Sequence, residues 1–307
     1  MAGTREIQVR MKSIQETMKI TNAMYLISSS KLRKAKQILE ETTPYYYGVQ
    51  STIGRILRHV PDVGHLYFDK RAEIPPEERK IGYIVVTADK GLAGGYNHDI
   101  FKEMERRLAQ PGRKKLYVLG VLGRQYFSKR PVDMDGSFRY TVQKPTIHRA
   151  RLIASEVIRE FRQKQLDEVF IVFTEMENAV QEEVRCVQLL PLQRGRFEPA
   201  GENQQELQKL LASVPRENIV LEPSGEELIE RIVPNYLIGL IYSCLVESYA
   251  CEQNARMLAM KSSTDNASAM LKRLSLEYNR ARQSGITQEI TEVAAGAKAQ
   301  KGSEENE

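Results

Sequence analysis

Apolar positions near the start of the chain recur with a helical period. Ile7, Met11, Ile14, Met18, Thr21, Tyr25, Ser28, Leu32, Ala35 and Leu39 step alternately by four and three, and eight of these ten are apolar. A 3.5-residue repeat of this length keeps one narrow stripe toward a partner, so it predicts a left-handed coiled coil rather than a globular surface helix with its wider stripe. Between Arg5 and Glu41 there is neither Pro nor Gly, and helix-favouring residues predominate. Pro44 is expected to interrupt or kink the helix, which resumes through Gly48 to His59.

The other end of the chain has the same character. Ser224 is placed to cap a helix whose first turn carries Glu226 and Glu227, favourable charges at the positive end of the helix dipole. From there to about Ala295 only Pro234, Gly239 and Gly285 break the helical composition. The expected seam is Leu237, Ile241, Cys244, Ser248, Cys251, Ala255, Leu258 and Ser262, mostly small residues that let two helix axes approach closely. Two heptad segments separated by a folded body are most simply satisfied by pairing with each other, antiparallel; self-dimerisation is the alternative.

Between the helical ends the period changes to that of strands and helices in alternation. Ile81–Thr87, Lys115–Gly120, Glu168–Thr174 and Glu183–Leu190 read as strands, and about Asn97–Ala109 and Arg149–Gln163 as helices. That order indicates an α/β sheet. The expected domains are an N-terminal coiled-coil helix (1–59), a linker (60–80) marked by Pro61, Gly64, Pro75 and Pro76, an α/β domain (81–223), a C-terminal coiled-coil helix (224–296) and a disordered tail (297–307). Glu198–Arg216 is polar, Gln-rich and read as loop with room for one short helix.

Composition narrows the class. With 41% hydrophobic and 28% charged residues, the 307-residue chain is neither disordered throughout nor a membrane protein, and two domains fit its length. The most apolar stretch, Tyr236–Val246, ends at Glu247, short of a membrane span. The N-terminus lacks a signal or transit pattern, so a prokaryotic cytoplasmic location is expected. Cys186, Cys244 and Cys251 form no disulfide framework, and His59, His65, His98 and His148 lack metal-site spacing. Neither a metal nor a cofactor is indicated.

Charge is unevenly placed. Residues 1–59 carry a net charge of +6 and the rest of the chain −1. Such a basic segment suits nucleic acid, an acidic membrane surface or an acidic protein partner, or is simply a solvated helix face. The loop Ala88–Asn97, with Gly91, Gly94 and Gly95 between a strand and a helix, invites a nucleotide reading. Its spacing matches neither GxGxxG nor GxxxxGK[ST], and a tight turn capped by Asp89 and Asn97 explains it as well. Glu175 with Glu177, and Asp133 with Asp135, have no base or nucleophile tied to them by spacing and read as solvated acids.

Several segments carry a resemblance. Arg5–Ile7, Lys19–Met24 with Lys31 after it, Asp89–Asn97, Asp167–Thr174 before Leu189–Pro191, Glu252–Ala267 and Tyr278–Gly296 resemble, in order and over nearly the whole chain, the gamma subunit of F-type ATP synthases. The resemblance implies an antiparallel coiled coil of the terminal helices with a Rossmann-like α/β body. It implies a non-catalytic rotor shaft within a head of alpha and beta subunits, holding the epsilon subunit and docking on the membrane ring of c subunits. It places the chain at the cytoplasmic face of the bacterial plasma membrane, reached only through the complex, with no nucleic acid bound. Arg282, Gln283, Thr287 and Glu289 match the family's contact with a catch loop of one beta subunit, and Met24 and Lys31 match positions near that coupling region. Ser28–Ser30 and Gly285 stand where the family usually has alanine or other small apolar residues. A nucleotide-binding α/β protein with coiled-coil arms, and a coiled-coil nucleic-acid protein, are the other classes weighed.

Overall fold

A computed structural model describes residues 2–60, 64–178, 181–197 and 224–304. The segment Glu198–Arg216 therefore lies outside the described residues. The chain divides into two compact units, Met1–Ser28 with Met257–Glu307, and Ser29–Arg256.

Five strands and five α-helices make up the described chain. They are α1 (Ala2–His59), β1 (Lys80–Val86), α2 (Tyr96–Leu108), β2 (Arg113–Leu119), α3 (Val121–Phe127), β3 (Asp133–Met134), α4 (Ile147–Arg162), β4 (Glu168–Met176), β5 (Glu182–Leu190) and α5 (Gly225–Glu304). The sheet order is β3-β2-β1-β4-β5; its first four strands are parallel and β5 is antiparallel to β4. This is the strand order of a Rossmann-like doubly wound sheet with an antiparallel edge. Alternate residues of β1 enter opposite cores. Ile84 and Val86 pack with Tyr117, Ile153, Phe161 and Ile171, while Tyr83 and Val85 pack with Ile100, Met104, Leu116 and Phe127. Burial on both faces explains why β1 reads as one apolar run instead of an alternation.

The short α3 and β3 lay unseen in the sequence. Gly120, at φ +92°, turns the chain from β2 into α3, and a Cβ there would collide with the Thr87 carbonyl. A ligation of this kind rests on close backbone approach, which leaves no hydrophobic period to read.

Helix α1 runs unbroken through Pro44, contrary to the expected break. Pro44 is exposed, so the carbonyl it leaves without an amide donor faces water, and the cost falls short of ending the helix. Helix α5 begins where expected, with the Glu227 amide donating to Ser224 Oγ at 3.2 Å. It extends to Glu304, so the polar tail expected from 297 is helical that far. By length and composition α5 also contains a stretch apolar enough to cross a membrane, which counting uninterrupted apolar residues overlooks. Half of that stretch is buried inside the protein, and Ile229, Val233, Tyr236, Leu237 and Ile241 of α5 join the sheet core.

The two long helices pair antiparallel. In the larger unit Tyr46 stacks on Tyr236, with ring centroids 5.5 Å apart, while Lys36 lies near Glu247 and Lys31 near Glu252, so positions rise along α1 as they fall along α5. In the smaller unit Thr21 Oγ1 and Thr264 Oγ1 share a hydrogen bond of 2.7 Å. All ten seam positions expected on α1 are buried or half-buried.

The seam on α5 needs a correction. Leu258 and Ser262 are exposed; burial passes instead through Ser248, Glu252, Arg256, Met260 and Thr264, then Ala267, Leu271, Leu274, Tyr278 and Ala281. Four successive steps of four shift the phase before the four-three alternation resumes, a stutter that a fixed heptad register misses.

Candidate functional site

An open α/β sheet binds ligands in the crevice beyond the carboxyl ends of its strands, where strand order reverses. Here that point lies between β1 and β4, and helix α5 occupies it. Ser248 Oγ is 2.7 Å from Tyr96 Oη at the start of α2 and accepts from the Thr174 amide on β4 at 3.4 Å. Cys251 Sγ donates to the Thr174 carbonyl at 3.4 Å. Burial holds the Tyr96 hydroxyl well above its ordinary pKa, and pushes both Cys244 and Cys251 thiols up, so none of these groups is a ready acid or nucleophile at neutral pH.

The glycine loop is likewise engaged from within. The Arg256 guanidinium, buried against Glu252 at 2.7 Å, donates to the Lys90 carbonyl at 2.9 Å and the Gly91 carbonyl at 3.2 Å. Asn97 Oδ1 accepts from the Ala88 amide at 2.9 Å. The Asp89 carboxylate accepts from the amides of Val121, at the first turn of α3, and of Val142 and Gln143. A carboxylate of the chain thus fills the cluster of backbone donors that would otherwise suit an anion. Asp89 and Asn97 cap as expected from the sequence; Arg256 was missed, because a buried cation 165 residues from its acceptors has no local signature.

The two acidic pairs have different surroundings. Glu175 and Glu177 both approach Arg185, at 3.0 and 3.9 Å. Asp135 is not a solvated acid: it meets Lys115 at 3.2 Å, and Lys115 reaches the buried Glu160 at 2.9 Å. Among the described residues no group of three His, Cys, Asp or Glu side chains is arranged to hold a metal ion.

The residues matched to the family's coupling motif lie on the two long helices. Arg282, Gln283, Thr287 and Glu289 are all exposed on α5, Met24 is half-buried on α1, and Lys31 is exposed on α1 within the larger unit. Thr287 Oγ1 donates back to the Gln283 carbonyl at 2.9 Å. Arg282 has no acidic partner among the described residues. The same helices carry exposed apolar side chains that the sequence reading missed: Ile286, Ile290 and Val293 on α5, and Ile20 and Ile27 on α1. They fall in helical register with the matched residues. Arg282, Ile286, Glu289 and Val293 step by four, three and four, and so do Ile20, Met24, Ile27 and Lys31. An exposed apolar row flanked by charge is a surface on which another protein can pack. Their spacing was visible in the sequence, but only the buried seam beside them reveals that they point away from it.

The fold agrees with the comparisons to known proteins. A family model described as ATP synthase matches residues 3–300. An ATP synthase gamma chain from Ruminiclostridium cellulolyticum is 44% identical over 96% of this chain and 98% of its own. One from Caldanaerobacter subterraneus subsp. tengcongensis is 42% identical over 96% and 99%. Among solved structures, a chain of the Euglena gracilis mitochondrial ATP synthase OSCP/F1/c-ring assembly shares the fold with a TM-score of 0.64 at 14% identity, covering 97% of this chain and 94% of its own. With identity of this extent end to end, the chain belongs to the ATP synthase gamma-chain family.

Proposed function

We propose that this chain is the central rotor shaft of an F-type ATP synthase and has no catalytic site of its own. Proton flow turns a membrane ring of c subunits, the α/β body turns with it and with the epsilon subunit, and the helical pair turns inside the alternating alpha and beta subunits. Its asymmetry drives the beta subunits through unequal affinities for ADP, phosphate and ATP. In a bacterium this sets the chain at the cytoplasmic face of the plasma membrane.

The observation that carries the non-catalytic reading is the occupied crevice: Ser248, Cys251 and Arg256 of α5 take up the place and the polar groups an α/β enzyme would offer to its ligand. The exposed face of α1 supports the partner assignment. Arg5, Arg10, Lys12, Lys19 and Arg33 are exposed without acidic partners among the described residues, and suit acidic segments of the beta subunits. Exposed ion pairs contribute only about 1 kcal/mol or less each, so they can exchange as the shaft turns. Arg282, Gln283, Thr287 and Glu289 form the contact that passes force to beta; Met24, which the Thr21–Thr264 pairing sets roughly 30 Å along the helical pair from Arg282, and Lys31 meet the head at other points of the shaft.

Co-purification tests the reading. The tagged chain should leave its host lysate inside an ATPase particle with alpha and beta subunits, and alone it should bind no nucleotide. Recovery as a free chain, or micromolar ATP binding by it, would return the nucleotide-binding class to first place. Within the particle, Arg282→Ala with Gln283→Ala should lower ATP synthesis several-fold; unchanged synthesis would remove those two residues from the contact.

A further inference from the structure

We propose that torque passes between helix α5 and the α/β body through the polar knot centred on Ser248, an inference that rests on the rotor-shaft reading above. Apolar burial resists separation of two surfaces but has no direction. A helix held in its trough by apolar contact alone can turn or slide by small steps while staying buried. Hydrogen bonds inside a dry core resist such a step, because a displaced donor finds no water to replace its partner.

Over ten residues of α5, roughly 14 Å of its length, hydrogen bonds to the body follow one another, those of Ser248 and Cys251 buried and those of Glu247, Asn254 and Arg256 at the edge of the core. Glu247 accepts from the Met176 amide at 3.1 Å, Ser248 meets Tyr96 and the Thr174 amide, and Cys251 donates to the Thr174 carbonyl. Asn254 donates to Glu182 Oε1 at 2.9 Å, and Arg256 to the carbonyls of Lys90 and Gly91. Most of these partners are backbone groups, which cannot yield by changing rotamer. They belong to β4 and to the loop following β1, the two sides of the crevice, so a turn of α5 in either sense strains bonds on one of them. Ser248 is wholly buried and is the point where bonds from α2 and β4 meet on one atom. Ser248 and Tyr96 are positioning residues: they touch no substrate and act through the register of α5 on the body.

The test uses the whole ATP synthase in sealed vesicles with wild-type gamma, Ser248→Ala, Tyr96→Phe, the double variant, and Ile241→Val. The last thins the apolar packing of the same helix without touching a hydrogen bond. ATP hydrolysis and ion uptake are followed while the opposing gradient is raised. Ser248→Ala and Tyr96→Phe should each keep unloaded hydrolysis within about twofold of wild type and lose at least threefold in ions moved per ATP near the limiting gradient. The double variant should be no worse than Ser248→Ala, which already removes the bond that Tyr96→Phe removes together with the one from the Thr174 amide, and Ile241→Val should keep the wild-type ratio. An unchanged ratio in the two single variants, an equal loss in Ile241→Val, or a fall in hydrolysis and assembly in step with uptake would overturn the proposal. A wild-type complex that hydrolyses ATP but moves no ions would instead overturn the shaft reading itself.

Discussion

The larger unit and the smaller unit are stabilised in opposite ways. In Ser29–Arg256 the sheet is covered on both faces, and even ion pairs are enclosed. Arg71 meets Asp167 at 2.8 Å with both side chains about 95% buried, stacks on Phe161, and donates to the carbonyls of Leu166 and Phe161. In Met1–Ser28 with Met257–Glu307 burial is confined to one seam, and large apolar side chains such as Val9, Ile20, Ile290 and Val293 face outward. The body spends its apolar surface on itself. The helical pair spends a narrow line of it on pairing and keeps the rest for other proteins, as a shaft in a bearing must.

The largest test of that contrast is the enclosed ion pair. Arg71→Ala leaves Asp167 charged and buried, and should cost about 3–5 kcal/mol of stability, read by denaturant unfolding of the isolated chain. A loss below 1 kcal/mol would mean water reaches the site. The helical pair is probed next by Leu274→Ala, at a seam position only 6% exposed. About 2–3 kcal/mol should be lost, with the cost confined to the helical pair and the body's unfolding transition unmoved. If both transitions shift together, the two units do not unfold separately.

A smaller effect comes from pH. Burial, with Glu175 nearby, raises the Glu247 carboxyl above the usual carboxylate range, against a lowering by the Met176 amide and Lys36. The folded state then holds the proton more tightly than the unfolded chain. This group's stabilising contribution is complete below the unfolded carboxylate pKa and is lost as pH rises through the raised folded value. Glu247→Gln should therefore flatten the stability–pH curve above the ordinary carboxylate pKa and match wild type in acid; parallel curves would refute the raised value. The smallest expected effect belongs to Arg282→Ala with Gln283→Ala. Both side chains are exposed, so unfolding of the isolated chain should move by about 0.5 kcal/mol or less. A larger shift would make them part of the helical pair rather than a surface kept for a partner.

Much of the architecture was legible because it is periodic. The α1 seam from Ile7 to Leu39 is buried or half-buried position by position, and the four longer strands fall within two or three residues of their expected ends. What was not legible depends on groups far apart in the chain. The stutter on α5 follows from which residues meet its neighbours, and Arg256 gains its meaning only from carbonyls 165 residues away. The row Ile286, Ile290 and Val293 looks, as sequence, like one more helix core.

Two long helices, an α/β body and, through the segments from Glu252 to Gly296, the family follow from the amino-acid order alone, because hydrophobic period and local chemistry are read residue by residue along the chain. Closure of the sheet's crevice by the chain's own helix, and the seat of Asp89 where an anion would bind, emerge from the folded arrangement. Those facts depend on directional hydrogen bonds between distant residues, which neither composition nor spacing records.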